Sequence, residues 1–131
     1  GVFDLVHYGH LEFLNCAKIK CDFLIVALCP DDMVEKYKNK KPIIPFEQRK
    51  KILEHLDCVD KVVTQISTNR MVEFDKYKFD IYFHGEFDKN TGNYDNLLKQ
   101  NIIVDYIPRK LDISTTNIIN KIILNYSNEK K

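Results

Sequence analysis

The sequence of 131 residues contains no tryptophan, and its four cysteines include no C-x-x-C pair. Without paired cysteines, neither a zinc knuckle nor a dithiol redox couple is indicated, and a reduced intracellular setting is the simplest interpretation. No apolar run approaches the roughly 20 residues of a membrane span, and no signal peptide is recognisable. These absences predict a cytoplasmic protein that is not inserted in a membrane.

An excess of charge of one sign is also lacking. Lys and Arg number 20 and Asp and Glu 19, which leaves a formal net charge of +1. This balance excludes a general nucleic-acid or membrane surface, so any anion site has to be built from local charges. The apolar fraction of 44% and the chain length suit one domain with its own core. We predict that this domain spans residues 1–126 and that residues 127–131 form a frayed tail.

What the sequence does contain is concentrated at its start. The segment GVFDLVHYGH, from Gly1 to His10, places two histidines around a glycine where a buried strand is expected to give way to a helix. A helix start offers unpaired N–H groups, glycine allows a ligand to approach the backbone, and imidazoles add donors. The H-x-G-H segment therefore predicts a phosphate site. The same histidines could instead bind a metal, with a third ligand from His84, Asp4 or a cysteine, or form a structural pair.

Apolar runs alternate with amphipathic stretches, which is the pattern of βαβ units around a parallel sheet. Strands are predicted at residues 23–28, 61–64, 80–83 and 102–107, and helices at residues 11–18, 46–56, 71–76, 94–100 and 116–124. Counting a first strand whose end is the opening of the chain, the prediction is a Rossmann-like α/β fold. Its doubly wound parallel sheet would have five strands and helices on both faces.

Three polar motifs are expected at one edge of this sheet, because ligands of open parallel sheets bind outside the carboxyl ends of the strands. The H-x-G-H turn follows the first strand, His84 and Gly85 follow the fourth, and Arg109 follows the last. Ser114 and Thr115 open a further helix behind Arg109. Ser114 could be a helix cap or a phosphate ligand, and the arginine adds a two-pronged phosphate donor.

A run of cations from Lys36 to Lys41 is predicted as a polar loop between two helices. Such runs are usually solvated surface. Beside two phosphate-type sites, a mobile loop of lysines could instead fold over the substrate and neutralise its charge.

Together these motifs resemble the cytidylyltransferases, over nearly the whole chain. The resemblance rests on GVFDLVHYGH, on Lys38 and Lys40, on the segment PFEQR that ends at Arg49, and on Pro108-Arg109 followed by ISTT. It implies that CTP and a small phosphorylated alcohol, with glycerol 3-phosphate favoured, give a CDP-alcohol and pyrophosphate. It also implies a homodimer and Mg²⁺ carried by the nucleotide triphosphate.

The resemblance further implies roles for individual residues. Four of them would stabilise charge on the reacting phosphates and are the expected catalytic residues: His7, His10, Lys38 and Arg109. The nucleotide-binding residues would be Phe3, Asp4, Gly9, Arg49, Gly85, Ser114 and Thr115. The substrate-binding residues would be Lys38, Lys40 and His84, and no residue is expected to hold a metal.

Two departures from the family pattern keep further functions open. Lys110-Leu111-Asp112 stands where the family has T-E-G, and His84-Gly85-Glu86-Phe87 stands where the glycerol 3-phosphate enzymes have G-D-D-W. The histidine-glycine pair resembles the phosphoethanolamine enzymes, so phosphoethanolamine or phosphocholine is a second candidate acceptor. An ATP-dependent adenylyltransferase of the same superfamily and a non-catalytic nucleotide-binding module also remain possible functions.

Overall fold

Parallel strands and helices alternate in the computed structural model, which describes residues 1–85, 94–109 and 112–127. The helices are α1 (Tyr8–Ile19), α2 (Asp31–Lys38), α3 (Phe46–Glu54), α4 (Arg70–Tyr77), α5 (Asp95–Lys99) and α6 (Thr115–Tyr126). The strands are β1 (Ile25–Leu28), β2 (Lys61–Thr64), β3 (Ile81–His84) and β4 (Ile103–Tyr106). The predicted α/β class is confirmed. No helix in the described ranges is long and apolar enough to cross a membrane.

Within the described ranges the strands form two parallel pairs, β1 with β2 and β3 with β4, and the single five-stranded sheet that the sequence predicted is not confirmed. The opening of the chain contributes one ladder residue beside β1. The Gly1 amine donates to the Ala27 carbonyl at 2.7 Å, and the Gly1 carbonyl accepts from the Cys29 N–H at 2.8 Å. Extended backbone cannot continue beyond this point, because Phe3 and Leu5 have φ angles of 51° and 49°.

One core joins the two strand pairs. Leu14 and Ala17 of α1 are 2% and 1% exposed and pack in a cluster with residues from both pairs. The strand residues in this cluster or packed against it are Val26, Leu28, Val62 and Phe83, and Ile107, which directly follows β4, is also a member. Each fully buried side chain of this kind contributes roughly 1.5–3 kcal/mol. The core therefore holds α1 against both pairs and fixes its first turn at their carboxyl ends.

Helix α2 was not predicted, and it corrects the expected lysine loop. Asp31 and Asp32 in its first turn and Lys36 and Lys38 in its last complement the helix dipole. Asn39 ends the helix with a left-handed φ of 57°. Residues 36–38 are therefore helical, and the polar loop begins only at Asn39.

Candidate active site

His7 is the N-cap of α1, and its ring is turned back over the start of the helix. His7 Nδ1 accepts from the backbone N–H of Gly9 at 3.0 Å and of His10 at 3.4 Å. His10 Nδ1 in turn accepts from the His7 backbone N–H at 3.3 Å. This is the reciprocal arrangement of a capping box, and it satisfies N–H groups that the helix itself cannot. The two rings stack with centroids 3.8 Å apart.

Both histidines are held neutral. Burial lowers the pKa of His10 to about 4, with the charge of His7 as a further cause. Burial and the guanidinium of Arg109 lower the pKa of His7. Because each Nδ1 accepts a hydrogen bond, the proton of each neutral ring is on Nε2. The start of α1 therefore presents two imidazole N–H donors without a net charge.

Gly9 leaves room for the folded-back ring of His7. A Cβ at this position would lie 2.9 Å from His7 Cε1 and 3.2 Å from the Ile113 carbonyl oxygen. The sequence predicted that a ligand would use the space at this glycine. The structure shows that the His7 ring and the segment entering α6 already line it, so the glycine brings two helix starts close together.

The hydroxyls at the start of α6 are used within the fold. Ser114 Oγ accepts from the Asn117 N–H at 3.0 Å, so of the two predicted roles the structure shows the helix cap. Thr115 Oγ1 donates to the backbone carbonyl of Asp4 at 2.9 Å. The start of α6 is thereby attached beside the start of α1. The remaining first-turn backbone N–H groups of α6 lack intrahelical partners and are the kind of donor that binds anions.

Asp4 connects the motif to the segment that follows α2. It is 9% exposed, and its carboxylate accepts from the N–H of Ile43 at 2.7 Å and of Ile44 at 2.9 Å. The resemblance implied a nucleotide contact, whereas the structure gives Asp4 backbone partners. Phe3, the residue before it, places its ring 5.2 Å from that of His10, centroid to centroid.

Arg49 is an interior support just beyond the carboxyl end of β1, where it bonds the Cys29 carbonyl and Asp31. Its side chain is fully buried, and four of its five N–H groups donate within the protein. The acceptors are the carbonyls of Ile44, Val2 and Cys29, and Asp31 Oδ1 at 2.6 Å. The nucleotide contact that the resemblance implied for Arg49 stays a prediction. Sequence reasoning missed Asp31, whose signal was an acidic residue in a helical first turn directly after a strand.

His84 and Gly85 follow β3 as expected, but His84 is enclosed. It is 8% exposed, with its ring 4.6 Å from that of Tyr94 and 5.2 Å from that of Tyr106. A Cβ on Gly85 would make an ordinary contact at 3.5 Å with Phe13 of α1. Among the described residues, the buried Nδ1 of His84 has no hydrogen-bond partner, and the contact of His84 with the acceptor stays a prediction. Glu86, Phe87, Lys110 and Leu111 lie outside the described residues.

The structure therefore brings His7, Gly9, His10, Arg109 and Thr115 to one place. Lys38 and Lys40 are exposed and lie at the end of α2 and just after it, next to the segment that Asp4 anchors.

The metal interpretation of the H-x-G-H segment is disfavoured by the same contacts. Both Nδ1 atoms cap the helix, and both carboxylate oxygens of Asp4 accept backbone N–H groups. In the part of the chain that the structure describes, no three His, Cys, Asp or Glu side chains are grouped as metal ligands would be.

The fold and the site define an α/β nucleotide-binding protein of the H-x-G-H class. The chain belongs to the cytidylyltransferase-like family, whose model matches residues 1–121. The family membership expected from the sequence is confirmed, and the chain is a nucleotidyltransferase.

Relatives named glycerol-3-phosphate cytidylyltransferase match most of the chain. It is 39% identical to that of Bacillus spizizenii, with 90% of this chain and 89% of the relative covered. It is 39% identical to that of Staphylococcus aureus, with 90% and 87% covered. It is 36% identical to that of Bacillus subtilis, with 90% and 89% covered.

A solved structure shares the fold. The crystal structure of the lipopolysaccharide core biosynthesis protein from Thermoplasma volcanium matches with a TM-score of 0.69 and 25% identity. The match covers 84% of this chain and 91% of that one. It agrees with the α/β architecture described above.

Proposed function

We propose that this chain transfers CMP from CTP to glycerol 3-phosphate, giving CDP-glycerol and pyrophosphate. The relatives that are 36–39% identical carry the name of this activity. The structural observation that carries the proposal is the joining of two helix starts through Thr115 Oγ1 and the Asp4 carbonyl, 2.9 Å apart, with Arg109 close to His7. Backbone N–H groups, imidazoles and a guanidinium are the donors that a triphosphate requires.

The reaction needs stabilisation of charge and no general base. The acceptor phosphate, with a second pKa of about 6, is already dianionic at neutral pH. One of its oxygens attacks the α-phosphorus in line, a new P–O bond forms, and the bond to the bridging oxygen breaks, so that pyrophosphate leaves with the electron pair. His7 and His10 donate Nε2–H to phosphate oxygens throughout and neither gain nor lose a proton.

The cations complete this proposed site. Arg109 and the first turn of α6, with Ser114 and Thr115, would surround the β- and γ-phosphates. Lys38 and Lys40 would reach the acceptor phosphate and the α-phosphate, because they are exposed beside the anchored segment at Ile43.

We also propose that Mg²⁺ enters with the triphosphate. Phosphate oxygens are ligands that Mg²⁺ prefers, and the described residues group no carboxylates that would hold the ion instead. When bound, Mg²⁺ neutralises charge on the β- and γ-phosphates.

We propose three further features of the enzyme: its oligomeric state, the arrangement of its sheet and its location. We propose a homodimer, which is supported by apolar side chains that α6 leaves exposed, with Ile122 at 50%, Ile123 at 57% and Leu124 at 76%. Light scattering on the purified protein measures its mass.

The two strand pairs, which share one core, are proposed to belong to a single doubly wound sheet. A cytoplasmic location is proposed because CTP and the free cysteines both suit a reducing compartment.

Pyrophosphate release tests the activity. CTP and ATP are each combined with glycerol 3-phosphate, phosphoethanolamine and phosphocholine, and we expect release with CTP and glycerol 3-phosphate, with an equal amount of CDP-glycerol. Release with ATP alone would indicate the adenylyltransferase, and preference for phosphoethanolamine or phosphocholine would change the acceptor. Nucleotide binding without release with any acceptor would indicate the non-catalytic module.

His10→Ala tests the site itself. Removing one aligned donor typically costs about 3–4 kcal/mol of barrier, so kcat should fall a few hundredfold at saturating substrates. His55 provides the matched control, since it is an exposed histidine whose Nδ1 lies 2.7 Å from the Lys51 carbonyl at the end of α3. His55→Ala should keep its activity, and unchanged turnover in His10→Ala would contradict the assignment.

A further inference from the structure

The backbone on both sides of Asp4 adopts a conformation that most residues avoid. Phe3 and Leu5 have φ angles of 51° and 49°, in the left-handed region where a Cβ is crowded. The residue between them is 9% exposed and is not itself in that region. The fold therefore accepts strain at two neighbouring positions and keeps the Asp4 carboxylate pointing inward.

The contacts of Asp4 reach two separate parts of the site. Its Oδ2 and Oδ1 accept from the N–H groups of Ile43 and Ile44 at 2.7 and 2.9 Å, and its carbonyl accepts from Thr115 Oγ1 at 2.9 Å. Hydrogen bonds to an ionised carboxylate are among the stronger ones in proteins. One residue thus binds the segment that follows the lysines and also the start of α6.

Arg49 fixes the same segment from the interior. Its Nε donates to the Ile44 carbonyl at 2.9 Å, and its Nη1 donates to the Val2 carbonyl at 2.7 Å. Ile44 is therefore held through its N–H by Asp4 and through its carbonyl by Arg49. The short stretch between Asn39 and Pro42, which carries Lys40, is attached at one end to α2 and at the other to this closed set of hydrogen bonds.

We propose that Asp4 is a positioning residue for the lysine segment. It sets where Lys38 and Lys40 stand relative to the starts of α1 and α6, and it touches neither the nucleotide nor the acceptor. This inference rests on the proposed function, and it replaces the nucleotide contact that the resemblance implied. Loss of the anchor should weaken the acceptor side of the site more than the nucleotide side, because the helix starts keep the Thr115 contact to the Asp4 backbone.

Asp4→Asn is the direct test. The amide keeps the shape of the side chain but turns an NH₂ group toward one of the two backbone N–H donors, so one anchor is lost. We expect kcat/KM for glycerol 3-phosphate to fall at least thirtyfold and the Kd for CTP to stay within threefold. Equal losses in CTP binding and in kcat/KM would show a nucleotide contact, and unchanged kcat/KM would show that the anchor does not matter. Either result overturns the proposal.

A second pair of variants removes the anchor from the other partner. Ile43→Pro deletes the N–H that binds Asp4 Oδ2, whereas Ile43→Ala keeps it and changes only a side chain that is 58% exposed. We expect Ile43→Pro to lower kcat/KM for glycerol 3-phosphate while the Kd for CTP stays nearly unchanged. Ile43→Ala should behave as wild type. The same defect in both variants would overturn the proposal. This pair also decides the matter should Asp4→Asn fail to fold.

Binding measurements separate this proposal from the proposed function. Measuring the Kd values of CTP and of glycerol 3-phosphate requires no turnover. Calorimetry can therefore show weaker binding of glycerol 3-phosphate beside unchanged binding of CTP, even in a protein that releases no pyrophosphate. A wild-type protein that binds both ligands without reaction would contradict the proposed function alone. A wild-type protein that does not bind glycerol 3-phosphate would contradict both.

Discussion

A methyl group at Gly9 should separate catalysis from stability. In Gly9→Ala the new Cβ would lie 2.9 Å from His7 Cε1 and 3.0 Å from His7 Nδ1, closer than side chains approach one another. The Ile113 carbonyl oxygen at 3.2 Å closes the other side. Since the adjoining start of α6 is attached to the Asp4 carbonyl through Thr115 Oγ1, we expect the His7 ring to turn away from the start of α1.

The two energetic consequences differ in size. Loss of the His7 cap costs about 1 kcal/mol of stability, while alanine is about 1 kcal/mol more favourable than glycine within a helix, so these terms nearly cancel. Displacement of a donor from the developing phosphate charge costs about 3–4 kcal/mol of barrier. We therefore expect kcat to fall at least a hundredfold, with the free energy of unfolding within about 1 kcal/mol of wild type.

The assay is pyrophosphate release at saturating CTP and glycerol 3-phosphate, beside urea unfolding of the same samples. His7→Ala supplies a double-mutant cycle: once the ring is absent, Gly9→Ala should reduce kcat no further. Asn15→Ala, on the exposed side of α1, is the control. Near-normal kcat in Gly9→Ala, or losses that simply add in the double variant, would refute this reasoning.

Two further predictions concern stability. The pKa of His10 falls from 6.5 to about 4 on folding, so its ring stays neutral while the unfolded chain takes up a proton. The contribution of His10 to the free energy of unfolding should therefore be fully present above about pH 7 and should fall by on the order of 3 kcal/mol between pH 6.5 and 4. In urea titrations, His10→Gln should show a smaller fall over this pH range. Arg49→Met should destabilise the fold by about 3–5 kcal/mol, because it leaves buried carbonyls unpaired and Asp31 without its partner. A methionine variant as stable as wild type in urea would contradict this role.

Local pattern was sufficient for most of the secondary structure. Strand β2 occupies the predicted residues 61–64, and α3 begins at Phe46 as predicted, since a proline precedes a stripe of apolar residues there. Helix α2 was missed because its second half is rich in lysine, and the cation run from Lys36 to Lys41 was interpreted as a solvated loop. The shortness of the first predicted strand could not be inferred, because the turn of the backbone at Phe3 depends on contacts made elsewhere in the fold.

The meeting of the motifs was predictable for a different reason. Parallel strands place their carboxyl ends at one edge, so motifs that follow them converge whatever the details of packing. The direction of each side chain was not predictable in the same way. The Thr115 hydroxyl bonds a carbonyl 111 residues away, the Asp4 carboxylate bonds N–H groups 39 and 40 residues away, and Arg49 reaches Val2 across 47 residues. No local pattern distinguishes such inward contacts from contacts with a ligand.

The neutrality of the histidine pair explains why the site also needs Arg109 and lysines. Two imidazolium rings 3.8 Å apart would repel each other by about 4 kcal/mol at an effective dielectric constant of 20, and protonated Nδ1 atoms could no longer accept the capping hydrogen bonds. The stack therefore exists only while both rings are uncharged, and as uncharged donors they supply direction but no net charge. The negative charge of a triphosphate and a phosphate acceptor has to be balanced by cationic side chains, which are Arg109 and the lysines at the end of α2. The imidazole donors are already fixed at the start of α1, so the lysines have to be brought to them. Asp4 serves this need as a separate anchor of the lysine segment.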